Sequence, residues 1–207
     1  MLKETFIELT KNYTDDERLS GKIWKEIETK YSNKNRHYHT LEHLDSILNQ
    51  LTSIKNQIND WNTILFSLYF HDIVYNVLKK NNEERSAALA EIRMRSISVQ
   101  SEIIEKCKDQ IIATKAHHIS KDNDTNYFTD SDLSILGNNP KIYSNYYRQI
   151  RKEYSIYPDL IYCPGRIKVL THFLNMDRIF KTDYFFEKFE IQARENLKTE
   201  LEGLQNG

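Results

Sequence analysis

The stretch WNTILFSLYFHDIVY, Trp61 to Tyr75, decides how this chain is read. Ile64, Leu65, Leu68 and Tyr69 recur at helical spacing, and almost no polar face is left between them. The segment therefore predicts a helix that is apolar on most sides and lies at the centre of a helical bundle. His71 and Asp72 close this apolar run. Burying such groups unpaired costs several kcal/mol or shifts their pKa until charge is lost. Two arrangements avoid that cost: a hydrogen-bonded His-Asp pair, or a divalent cation that takes neutral imidazole and carboxylate together as ligands.

Helical periodicity continues on both sides. Leu19, Ile23, Trp24, Ile27 and Tyr31 form one stripe, and Leu41, Leu44, Ile47, Leu48, Leu51 and Ile54 a second. Asn81 followed by Glu84 reads as a helix start, with Ala87, Ala88, Ile92 and Met94 on the helix that follows. Ile103, Ile104, Cys107, Ile111 and Ile112 mark another. The polar segment Ser120 to Asn126 reads as a loop. A short helix is expected over Asp132 to Leu136, ending at Gly137 as a left-handed cap. Pro140 suits the first turn of a helix carrying Tyr143, Tyr146, Tyr147, Ile150 and Tyr154. Pro158 and Pro164-Gly165 read as punctuation of the next connection, and a last long helix runs from Asp183 through Phe186, Phe189, Ala193 and Leu197 towards Leu204. The expectation is an all-α fold, one helical bundle domain over 1–207.

Composition agrees. With only 5 Gly and 3 Pro in 207 residues, connections are few and helices long. A formal net charge of -1 excludes the broad basic surface that binding of a nucleic-acid polymer requires, so the tyrosines read as packing residues rather than a base-stacking platform. The 2 cysteines, Cys107 and Cys163, make neither a disulfide framework nor a thiolate zinc site, and Cys107 falls in an apolar stripe as a core residue. The start, Met1-Leu2-Lys3-Glu4, carries no apolar signal core, and no run approaches the ~20 apolar residues of a membrane span. A cytoplasmic protein with no membrane contact is expected.

The remaining chemistry-bearing residues gather around His71-Asp72. In Arg36-His37-Tyr38-His39-Thr40-Leu41-Glu42-His43, the four-residue spacing puts His39 and His43 on one helical face. The zinc-protease pattern is absent, because no Glu follows the first of them. Further on, Asp130 suits a helix cap, and Asp132 would sit in the first turn behind it. His172 lies in the apolar stripe of Leu170, Phe173 and Leu174 and reads as a core residue.

Taken in order, RHYHTLEH, FHDIVY, NNEERSA, ATKAHH, FTDSDLSILG, IRKEY, Gly165-Arg166 and Ala193 to Asn196 resemble the metal-dependent phosphohydrolases of the HD superfamily. The likeness covers nearly the whole chain and is strongest to an uncharacterised bacterial branch. It implies a helical fold with metal ligands from several helices: His43 first, the pair His71 and Asp72, and Asp132 last, with Asp130 the alternative. The metal is Mn, Zn, Mg, Ni, Co or Fe, and a second metal near His117 is compatible with the family, as is a helix-end role for that residue. Tyr38-His39-Thr40-Leu41-Glu42-His43 is also similar to the Tyr-His-Asn-x-x-His of cyclic-nucleotide phosphodiesterases, with Thr40 in place of Asn. That similarity implies His39 as general acid.

Lys115, Arg36, Arg151 and Arg166 are candidates to balance charge on a phosphoryl group, with ordinary ion pairs as the alternative. Glu83 or Glu84 is a candidate to orient water, with helix capping as the alternative. The implied substrate is a small phosphorylated metabolite, a nucleotide among the possibilities, and a homodimer is compatible with the aromatic stripes. The same ligand set also serves diiron oxygenases, and a non-catalytic metal-binding or ligand-sensing module remains a third class.

Overall fold

A computed structural model describes residues Met1 to Asn206. Ten α-helices and no strand occur among the described residues, so the expected all-α class holds. In order they are α1 (Leu2–Lys11), α2 (Glu17–Tyr31), α3 (Leu41–Ser53), α4 (Trp61–Phe70), α5 (Asn82–Ser96), α6 (Ser101–Ala113), α7 (Asn123–Leu133), α8 (Pro140–Glu153), α9 (Asp159–Leu174) and α10 (Asp183–Gln205). The contacts group the chain into two compact units, Met1–Thr129 and Asp130–Gly207, with the line between them falling inside the unbroken helix α7. No described helix is long and apolar enough to cross a membrane.

In the first unit α4 is the axis, and α1, α3, α5 and α6 pack on it. Every residue from Thr63 to Phe70 is buried, as a helix apolar on all sides requires. Its start is fixed twice. The Asp60 side chain accepts from Thr63 N, and the buried Asp124 carboxylate accepts from the backbone N–H groups of Asn59 and Asp60 at 2.9 and 2.7 Å. The helix also stops earlier than the apolar run does, at Phe70 rather than Tyr75. Leu68 O would accept the Asp72 amide in a continuing ladder. It is taken instead by His71 Nδ1 at 3.0 Å, and Asp72 N donates to the Tyr31 hydroxyl at 3.1 Å. Val74 N then donates to Ser86 Oγ. Side chains thus replace the ladder and hold His71 to Val74 as a turn.

Several expectations need correction. The segment from Asn123 is helical, not loop, because α7 buries polar side chains that find partners: Thr125 on Asp122, Asn126 on Ser120, and Thr129 on the carbonyls of Thr125 and Asn126. The short helix expected over Asp132 to Leu136 is the end of α7 followed by a 3-10 turn, Ser134–Gly137. Gly137 is not left-handed. It is needed because a Cβ there would lie 2.5 Å from Phe189 Cβ. Pro164 lies inside α9, and His172 is exposed rather than buried. On α5 the buried face is Ser86, Ala87, Ala90 and Met94, while Ile92 is exposed.

The second unit holds several buried charged groups in pairs. Arg166 and Glu200, both buried, form a two-pronged ion pair at 2.7 and 2.9 Å, and the Tyr143 hydroxyl also bonds Glu200. Asn196 donates to Leu136 O and Asn138 O, which pins the 3-10 turn to α10. Arg194 donates to Leu174 O and Met176 O at the end of α9. Asp130 accepts from Lys181 N, Thr182 N and Thr182 Oγ1 and so secures the start of α10, while its carboxylate lies 3.3 Å from the buried Lys181 Nζ.

Removing one partner of a buried pair leaves the other charge uncompensated. Arg166→Ala is expected to cost about 3–5 kcal/mol in urea unfolding, and Arg166→Met with Glu200→Leu is expected to recover most of it. Burial pushes the Cys107 thiol up to about 12. A thiol reagent at pH 8 should therefore label Cys163 alone in the native protein and both cysteines after denaturation.

Candidate metal centre

Three segments carry the predicted ligands. The first is the start of α3, where Thr40 is the N-cap and His43 lies buried in the first turn. His39 immediately precedes the cap. The second is the turn that ends α4. The third is α7, whose Phe128 ring meets the His71 ring edge-on at 5.6 Å between centroids. Asp132 lies one turn beyond Phe128 on that same helix, and the i,i+4 spacing keeps the two side chains on one face.

The imidazoles converge. His43 Nε2 and His71 Nε2 are 3.3 Å apart. Two nitrogens bound to one ion at about 2.1 Å with a tetrahedral angle stand about 3.4 Å apart, so this spacing fits a shared metal. His71 Nδ1 is committed to the Leu68 carbonyl, which makes it the N–H and leaves the Nε2 lone pair for the centre. Asp72 Oδ2 lies 3.2 Å from His71 Nε2, 3.8 Å from His39 Nε2 and 3.9 Å from His43 Nε2. Ligand atoms of His43, His71 and Asp132 all lie within 4.8 Å of one another, so this group could hold a metal ion. The donor set of imidazole nitrogen and carboxylate oxygen suits Zn, Mn, Fe, Co or Ni.

Electrostatics favour the ligand form of Asp72. Its burial alone would raise the carboxyl pKa. The imidazoles of His71, His39 and His43 outweigh that effect and hold it well below the usual carboxylate range. The aromatic surroundings restrict the rings: Tyr38 packs on His43 at 4.8 Å, and Tyr75 lies over His39 at 4.3 Å and 32°.

Other predicted residues have partners of their own. Lys115 pairs with Glu84, donates to Lys80 O at 3.0 Å and lies 4.0 Å from Glu83. Glu83 and Glu84 open α5, as helix-start acids do. Arg151 belongs to the second unit, where its guanidinium pairs with Asp159 and donates to Tyr154 O and Tyr157 O beyond the end of α8. Arg166 is taken by Glu200. Arg36 is buried, and its donors go to backbone carbonyls. His117 follows α6 in a left-handed conformation, φ 52°. Asp130, the alternative to Asp132, accepts from Lys181 N, Thr182 N and Thr182 Oγ1. Sequence reasoning missed Tyr31, whose hydroxyl receives the Asp72 amide; only its helical register on α2 pointed to burial.

Compared with known proteins, the chain matches no family model, no curated protein and no solved structure.

Tyr31→Phe removes the acceptor of the Asp72 amide while keeping the ring. The variant is expected to lose about 1–3 kcal/mol in urea unfolding, because a partly buried donor is left unmet.

Proposed function

We propose that this protein is a metal-dependent phosphohydrolase of the HD type, acting on a small phosphorylated metabolite such as a nucleotide. The observation that carries the reading is the convergence of His43 Nε2, His71 Nε2 and Asp72 Oδ2, the two nitrogens 3.3 Å apart and the oxygen within 3.9 Å of both. His43, His71, Asp72 and Asp132 would hold the ion. When bound, a divalent cation at such a site lowers the pKa of a water towards neutrality and polarises a phosphoryl oxygen.

The chain's own residues supply the rest. His71 keeps its Nε2 lone pair inward because Leu68 O holds the other nitrogen. Asp72 stays ionised beside three imidazoles and balances the positive charge of the centre. His39 has a partly exposed ring whose Nε2 lies 3.8 Å from Asp72 Oδ2. In this reading it gives a proton to the leaving-group oxygen. The chemistry is compatible with any of several divalent ions, and Lys115, Glu83 and Arg151 are not required for it.

The test separates metal binding from turnover. The full chain, loaded with Mn, Co or Zn, is screened for phosphate release from a panel of nucleotides and other phosphorylated metabolites. Asp72→Ala is expected to lose metal and activity together. His39→Ala is expected to keep its metal and turn over about 10²–10⁴-fold more slowly. Full metal content in Asp72→Ala, or no phosphate release by the loaded wild type from any substrate, contradicts the reading.

A further inference from the structure

We infer that Arg36 is a positioning residue that locks the two histidine-bearing segments of the metal centre to each other, and not a phosphate contact; the inference rests on the metal-binding reading above. Its side chain belongs to a buried residue, 9% exposed. Nη1 donates to His39 O at 3.1 Å, one turn ahead of His43. Nη2 donates to Ile73 O at 3.1 Å, two residues past His71. One planar group therefore joins the entry of α3 to the turn that ends α4, across 37 residues of chain.

The guanidinium is boxed by rings that themselves touch Asp72 and His39. Tyr31 lies 4.7 Å from it and receives the Asp72 amide on its hydroxyl. Tyr75 lies 5.4 Å from it and covers the His39 ring. Displacing Arg36 thus frees the His39 carbonyl, the Ile73 carbonyl and two aromatic supports at once. Both terminal nitrogens already donate to backbone carbonyls, which fixes the plane and direction of the fork. Lysine cannot reproduce the arrangement. Its ammonium is a point donor that reaches one carbonyl and does not stack between two rings.

A group of this kind acts on metal affinity, because the spacing of His43 and His71 depends on the segments it joins. Loss of such an outer support lowers affinity about 10–100-fold. The experiment is calorimetric titration of the metal-free full chain with Mn²⁺ alone, alongside thermal unfolding of the same metal-free samples. Arg93→Met is the control. It breaks the Arg93–Glu26 pair, which joins α5 to α2 at 2.6 and 3.1 Å without touching the centre.

Arg36→Met is expected to weaken Mn²⁺ binding about 10–100-fold, and Arg36→Lys by less, while Arg93→Met leaves the Mn²⁺ affinity unchanged whatever it does to Tm. Should Arg36→Met fail to fold, Arg36→Lys, which keeps the charge, carries the comparison. Wild-type Mn²⁺ affinity in the folded Arg36 variants overturns the positioning role. A raised KM for a phosphorylated substrate with that affinity intact would assign Arg36 to phosphate instead. Failure of the wild type itself to bind Mn²⁺ removes the metal-binding reading, and that result is seen before any variant is compared.

Discussion

The hydrogen bond from the His71 ring to the Leu68 carbonyl is the contact on which the site depends. It takes the acceptor that the α4 ladder would use next, so the helix ends inside its own apolar run. The same bond fixes which imidazole nitrogen faces the centre. One interaction therefore terminates the most buried helix, sets the orientation of His71, and releases Asp72 to point at the imidazoles. The Asp72 amide, denied its ladder partner, is met by Tyr31. Ending a helix within the core is costly unless every freed backbone group finds a partner. Tyr31, Ser86 and Arg36 supply those partners for Asp72, Val74 and Ile73.

The second unit solves a different problem by related means. Its charged residues are buried in pairs or against backbone: Arg166 with Glu200, Asp130 with Lys181 and the start of α10, Glu190 with the amides of Ile179 and Phe180. Such groups specify geometry more than they stabilise it, since a buried ion pair roughly repays its own desolvation. Gly137 belongs with them, because only a residue without Cβ lets the 3-10 turn approach Phe189.

How much of this could be read beforehand divides along physical lines. The stripes of α2, α3, α4 and α6, and the long last helix, were legible because apolar spacing is a direct imprint of burial on one face. The segment α7 was not, because its burial is achieved with Asp124, Thr125, Asn126 and Thr129, residues whose types signal loop until their hydrogen bonds are known. Pro164 misled for a similar reason: α9 accommodates it. At the site, His43, His71, Asp72 and Asp132 came from the family resemblance; the structure sets the two imidazole Nε2 atoms 3.3 Å apart and puts ligand atoms of His43, His71 and Asp132 within 4.8 Å of one another. The arginines were not distinguishable by pattern. Arg36, Arg151 and Arg166 all suit phosphate by type, and only their partners reveal that each is committed elsewhere. Tyr31 carried no signal beyond its place in a stripe, since nothing local marks a hydroxyl that will cap a distant turn.

The central claim is that His43 and His71 meet around a cation and not as a bare hydrogen-bonded pair. Elemental analysis of the purified full chain, beside His71→Ala prepared identically, tests it most directly. The account predicts a stoichiometric divalent ion in the wild type and its loss in the variant. A wild type free of metal after equilibration with Mn²⁺, Zn²⁺ and Co²⁺, or a variant that retains the full complement, would contradict it.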